Sequence, residues 1–221
     1  MNDEEAIEKV DKCFKLILNA KSKEDIEGIF NNPFFKRDKN PKCLKKPNRE
    51  KYPHINFLIT LQEIEELVHK GYLNNDYTLS NKLAEGNSPL SSLEKLLYSL
   101  AWKNGELKSV VRIIIGILGH QNDKKDVVFY YFGKALANPR KPIIDQHVIR
   151  AYRLYERNAI NGNISDIRRQ DTIDTDYQNC IDGYITWITG DFLTEELRSI
   201  PNYIKYVDDV LFALGKYVKV N

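Results

Sequence analysis

The chain has 221 residues, 42% of them hydrophobic and 29% charged, a balance that suits one large or two small globular domains and excludes disordered, collagenous and fibrous organisation. Its 33 basic and 31 acidic side chains leave a formal charge of +2, too weak a field to attract a polyanion unless the cations gather locally. The longest apolar run, Val110 to Leu118, is interrupted by Arg112 and is shorter than the roughly 18–20 residues that cross a bilayer, so no membrane span is expected.

The opening MNDEEAIEKV is acidic and amphipathic where a signal peptide is basic and then apolar, which points to a cytoplasmic protein. Ile7, Val10, Phe14, Ile17 and Leu18 line one helical face. Ser22 with Asp25 has capping-box spacing for a second short helix, and Phe30, Phe34 and Phe35 are placed to anchor its far end. Residues 36–51 then turn basic: Lys36, Arg37, Lys39, Lys42, Lys45, Lys46, Arg49 and Lys51 stand against Asp38 and Glu50, and Pro41 and Pro47 prevent a regular helix. Such a loop is either a solvated connection or a phosphate-contacting surface, with Lys45 and Lys46 as candidates.

Thr60 with Glu63 opens a helix over residues 61–70 that Gly71 ends. After a turn-rich stretch, Ser91 with Glu94 opens another that carries Leu93, Leu96, Leu97 and Leu100 and breaks at Asn104-Gly105. Leu107 to Leu118 is so rich in β-branched residues that periodicity does not separate strand from buried helix; its neighbours argue for helix. Helices are expected over 126–137 and 146–155 on either side of the connector Asn138-Pro139-Arg140-Lys141-Pro142, and again over 177–188. Pro201 is a suitable opening residue for a final helix whose seam is Ile204, Val207, Leu211, Leu214 and Val218. No strand-and-turn series, phosphate-binding loop or nucleophile elbow interrupts this pattern, so the expected class is all-α. The expected organisation is an N-terminal helical region over 1–90 with the basic loop, and a second helical region over 91–221, together one compact unit.

Three cysteines, Cys13, Cys43 and Cys180, give neither a disulfide framework nor a zinc spacing, and no metal or cofactor is expected. Asp145 precedes an amphipathic helix, where free N–H groups and the helix dipole favour an ionised carboxylate; from the residues alone it reads first as a simple N-cap. His147 follows at Asp-x-His spacing, but with no third ligand it is better suited to capping than to a metal. Arg140, Lys141, Arg150 and Arg153 flank the bend as phosphate contacts or as a solvated rim. Tyr130, Tyr131 and Phe132 precede Gly133-Lys134 and are either core or, with Trp102 or Trp187, part of an aromatic pocket.

The segment Pro142-Ile143-Ile144-Asp145-Gln146-His147-Val148-Ile149-Arg150 resembles the signature of two apolar residues, Asp, Thr, His, Val, x and Arg found in the helix-hairpin-helix DNA glycosylase superfamily. Asp208 to Lys216 is similar to the C-terminal helix of its 8-oxoguanine DNA glycosylase-like branch. The family hairpin has two glycines where Gly119-His120-Gln121-Asn122-Asp123 keeps one. The resemblance implies a compact multi-helix enzyme of base excision repair with DNA as partner. It makes Asp145 the catalytic carboxylate and Lys125, 20 residues earlier, the nucleophile of a lyase-competent member, with Lys124 beside it. The implied DNA contacts are Lys124, Lys134, Arg140, Lys141, Arg150, Lys45 and Lys46, and the implied base pocket is Tyr130, Tyr131, Trp102 and Trp187. A base in a duplex must be extruded to be reached, and a fixed carboxylate stabilises the positive charge that develops on the sugar as the base leaves. The alternatives are a non-catalytic nucleic-acid-binding protein on the same scaffold and a helical protein-interaction module.

Overall fold

The computed structural model describes residues 1–36, 44–120, 127–157, 163–173 and 175–220. These residues are helical without a sheet; their strand-like feature is an isolated antiparallel bridge between Leu73 and Leu79. The fold is all-α, as expected. In chain order the helices are α1 (Asp3–Leu18), α2 (Lys23–Ile29), α3 (Leu61–His69), α4 (Ser92–Lys103), α5 (Leu107–Leu118), α6 (Val127–Ala137), α7 (Gln146–Tyr155), α8 (Ile164–Arg169), α9 (Gln178–Thr189), α10 (Glu195–Arg198) and α11 (Tyr203–Val218). Among the described residues no helix is long and apolar enough to cross a membrane.

Local chemistry sets most of these boundaries. Ser22 with Asp25, Thr60 with Glu63, and Ser91 with Glu94 each form the reciprocal pair of bonds that satisfies free N–H groups at a helix start. The β-branched segment 107–118 is helix α5, and Gly119 ends it at φ 72°, a left-handed conformation that glycine adopts without steric penalty. Two boundaries differ from expectation. The stretch around 161–176 contains α8, capped by Asn163 on Ser165 N and Asp166 N, a helix too short to leave a periodic signature. Helix α11 opens at Tyr203 because Asn202 takes φ 63°, so Pro201 lies in the preceding turn and not at the first helical position.

The described chain divides into two compact units, residues 1–56 with 140–221, and residues 57–139. This differs from the expected boundary at residue 90: both ends of the chain share one core, and the intervening segment packs on itself. In the first unit α7 is central and touches α1, α8, α9 and α11. Its Val148, Ile149, Ala151 and Leu154 are buried, as are Phe14 and Ile17 of α1, Ile181 and Tyr184 of α9, and Val207, Leu211 and Leu214 of α11, the helices that α7 touches. Helices α7 and α11 approach so closely that a Cβ on Gly215 would lie 1.9 Å from the carbonyl oxygen of His147.

In the second unit α5 and α6 make the main contact. A Cβ on Gly116 would lie 2.0 Å from the Tyr130 carbonyl oxygen, and one on Gly133 would lie 2.0 Å from that of Ile113, so the two helices touch backbone to backbone. Helix α4 has no buried residue, and Leu93, Leu96, Leu97 and Leu100 are all exposed.

Candidate active site around Asp145

Asp145 caps α7 with an extended backbone, φ −130° and ψ 148°, and its Oδ1 accepts the His147 N–H at 2.6 Å. The Val148 N–H is near enough to favour the charged carboxylate as well. Asp145 as a residue is partly exposed. Burial pushes its pKa above the ordinary carboxylate value, while the two N–H donors and the charges of Arg150 and Lys216 pull the other way. The helix start favours the ionised form, as its N–H donors imply, while desolvation is the larger influence and opposes it.

Arg150 is 0% exposed. Its Nη1 donates to the Gly215 carbonyl at 3.0 Å and meets His147 Nδ1 at 2.7 Å, and its Nη2 donates to the Gln170 carbonyl. Burial and the Arg150 charge push the His147 pKa down to about 4, so the imidazole is neutral near pH 7 and its Nδ1 accepts from the guanidinium. The expected DNA contact by Arg150 is therefore corrected: the guanidinium joins α7, α11 and the end of α8 and offers nothing to a phosphate. Arg153 bonds the Gln170 side chain and lies 4.5 Å from the Tyr177 ring centroid.

The element that precedes Asp145 is held from α11. Asp208 is 9% exposed; its Oδ1 accepts the Tyr184 hydroxyl of α9 and its Oδ2 accepts the Ile143 N–H at 3.2 Å. Burial raises its pKa to about 7, with the Tyr184 and Ile143 bonds opposing and the nearby charges of Asp209 and Asp145 reinforcing the shift. Sequence reasoning named Asp208 and Lys216 only as the ends of the C-terminal segment and gave neither a site role. Asp208 did leave a signal, a carboxylate on the apolar seam formed by Ile204, Val207, Leu211 and Leu214, where an unpaired charge is costly.

The other expected site residues separate. Exposed Arg140, Lys141, Lys45 and Lys46 belong to the first unit with Asp145, and Lys46 faces Glu27 at 4.0 Å. Lys134, Tyr130, Tyr131 and Trp102 belong to the second unit. Lys124, Lys125 and most of the expected hairpin turn lie outside the described residues, as do residues 37–43 of the basic loop, which include Cys43.

Three of the four expected pocket aromatics are buried. Tyr130 donates its hydroxyl to the His120 carbonyl at 3.0 Å and packs edge-on against Tyr131, with Lys134 Nζ 4.8 Å from the Tyr130 centroid. Trp187 is 3% exposed within a cluster of Phe14, Tyr152, Tyr155 and Tyr184. Packing of these three in helical cores is the core alternative that the sequence left open. Trp102, 67% exposed, is the fourth. Among the described residues no three His, Cys, Asp or Glu side chains gather to hold a metal ion. The chain matches no family model, no curated protein and no solved structure.

Proposed function

We propose that the chain is a DNA glycosylase-like protein that releases an altered base, with Asp145 as the working carboxylate. The observation that supports this most directly is the state of Asp145 itself: partly exposed, fixed by the His147 N–H, and positioned after a segment similar to the glycosylase signature. A carboxylate held in one direction by a helix start is suited to a cation that forms on an extruded sugar, because it needs no reorganisation when the charge develops. It is equally suited to orienting the water that displaces the base. In the lyase-competent form, the Lys125 amine displaces the base at the sugar C1′ and holds the opened sugar as a Schiff base. Exposed Arg140, Lys141, Lys45 and Lys46 are the DNA-contact candidates of the first unit, and a cytoplasmic location belongs to the same proposal.

The second reading is a helical binding module in which Asp145 only caps α7, and the bond to His147 N is the observation that favours it. Asp145→Asn distinguishes the two. Asparagine caps a helix about as well as aspartate, so the fold persists while the charge is lost. In a screen of oligonucleotides carrying different altered bases, the variant is expected to release base about 100- to 1,000-fold more slowly than the parent. Unchanged release in the variant rules out the carboxylate mechanism. An adduct trapped by borohydride on abasic DNA, absent in Lys125→Ala, marks the lysine as nucleophile.

A further inference from the structure

Asp208 is a buried carboxylate that bonds two different segments of the first unit at once. One oxygen receives the Tyr184 hydroxyl from α9, and the other receives the backbone N–H of Ile143, two residues before Asp145. Ile144, between them, is fully buried, so the main chain entering α7 is gripped by a hydrogen bond at 143 and by side-chain packing at 144. Asp145 therefore leaves a fixed support, and its Oδ1 meets the His147 N–H from a defined direction.

A helix cap alone does not call for this arrangement. An N-capping side chain needs only the free N–H groups of its own helix. A carboxylate buried on the apolar seam of another helix costs free energy unless its bonds are complete, and here both oxygens are engaged. The charged and titratable groups that face it are Tyr184 from α9, Asp145 from the segment before α7, and Asp209 on its own helix.

We propose that Asp208, clamped between the Tyr184 hydroxyl and the Ile143 N–H, is the positioning residue that sets the direction of the Asp145 carboxylate. This rests on the glycosylase reading for its catalytic consequence, but its structural content stands apart from that reading. The design resembles that of other reactive groups held by a second layer of bonds, where small displacements far from the reacting atoms lower the rate strongly.

Two substitutions separate clamp from charge. Asp208→Asn retains an acceptor for Ile143 N–H and presents an amide donor to the Tyr184 oxygen, so it keeps both bonds without the charge. Asp208→Ala removes both. Tyr184→Phe removes one with the ring packing retained, and it serves as the milder variant if Asp208→Ala fails to fold. The readouts are amide exchange at Ile143, the amide resonance of His147, whose N–H is held by Asp145, and kcat and KM for base release.

Asp208→Ala, or Tyr184→Phe in its place, is expected to speed exchange at Ile143 and shift the His147 resonance. It is also expected to lower kcat by about 10- to 100-fold with KM little changed, while Asp208→Asn stays close to the parent in all of these. Unaltered Ile143 exchange and His147 resonance in Asp208→Ala, or in Tyr184→Phe where the alanine variant does not fold, overturn the proposal. So does an Asp208→Asn variant as impaired as Asp208→Ala. If the parent releases no base from any oligonucleotide, the glycosylase reading fails, and the two amide measurements still decide whether Asp208 positions Asp145.

Discussion

At position 150 a guanidinium lies fully inside the first unit, donating to the main-chain carbonyls of Gly215 and Gln170 and to a neutral His147. Its planar fork reaches three acceptors in different directions, a geometry that the lysine ammonium does not reproduce. Arg150→Ala leaves two buried carbonyls without this donor and opens a cavity, so it is expected to destabilise the protein by about 3 kcal/mol or more, with Arg150→Lys restoring little. A fall in the urea midpoint at unchanged slope is the measurement that checks it; an unaffected midpoint shows that the contacts are dispensable. Nothing in the local sequence distinguished Arg150 from a surface cation, because two of its three acceptors come from residues 170 and 215. Asp145 was legible as a helix cap because the N–H it binds is two residues away.

Among the elements, α7 and α11 depend on each other through one absent side chain. A Cβ at Gly215 would penetrate the His147 carbonyl, and both obstructing groups are backbone, so the contact is relieved only by moving one helix. Gly215→Ala is expected to cost at least the upper part of the about 1–3 kcal/mol typical of overpacking, despite the better helix propensity of alanine. Thermal unfolding checks this, and a raised midpoint shows that propensity outweighs the clash. The same substitution displaces His147, whose N–H Asp145 accepts, so it tests the support of the candidate site at the level of helix packing. The helices themselves were readable from apolar spacing and capping pairs, since those signals lie within one turn. The burial of their faces was not: α4 carries a regular leucine stripe, and all four leucines are exposed.

For the molecule as a whole, stability must vary with pH through its buried titrating groups. Asp208 has its pKa raised in the folded state to about 7 from an ordinary value of about 3.9. Its contribution is fully present below about pH 4 and is lost as pH rises through 7, because the unfolded chain releases the proton first. His147 acts oppositely: its folded value of about 4 lies below the ordinary value of about 6.5, so stability is lost as pH falls across that interval. Asp208→Asn removes only the first effect. The melting temperature of the variant relative to the parent is expected to increase between pH 4 and 7 and then level off; a flat difference would contradict the raised folded-state pKa of Asp208.

The chain order gave no hint that residues 1–56 and 140–221 share a core. The contacts that join them are long-range: buried Arg168 donates to the Val218 carbonyl at 2.9 Å and the Met1 carbonyl at 3.0 Å and pairs with Asp3. Sequence by itself determined the all-α class, the capped helix starts and Asp145 as a cap, because each is settled by residues within a few positions of one another. Only the tertiary structure decided that Arg150, Trp187 and Tyr130 are buried and that Asp208 grips the approach to Asp145. Burial and hydrogen-bond completion depend on what a distant segment brings to the same place, and one-dimensional spacing does not carry that information.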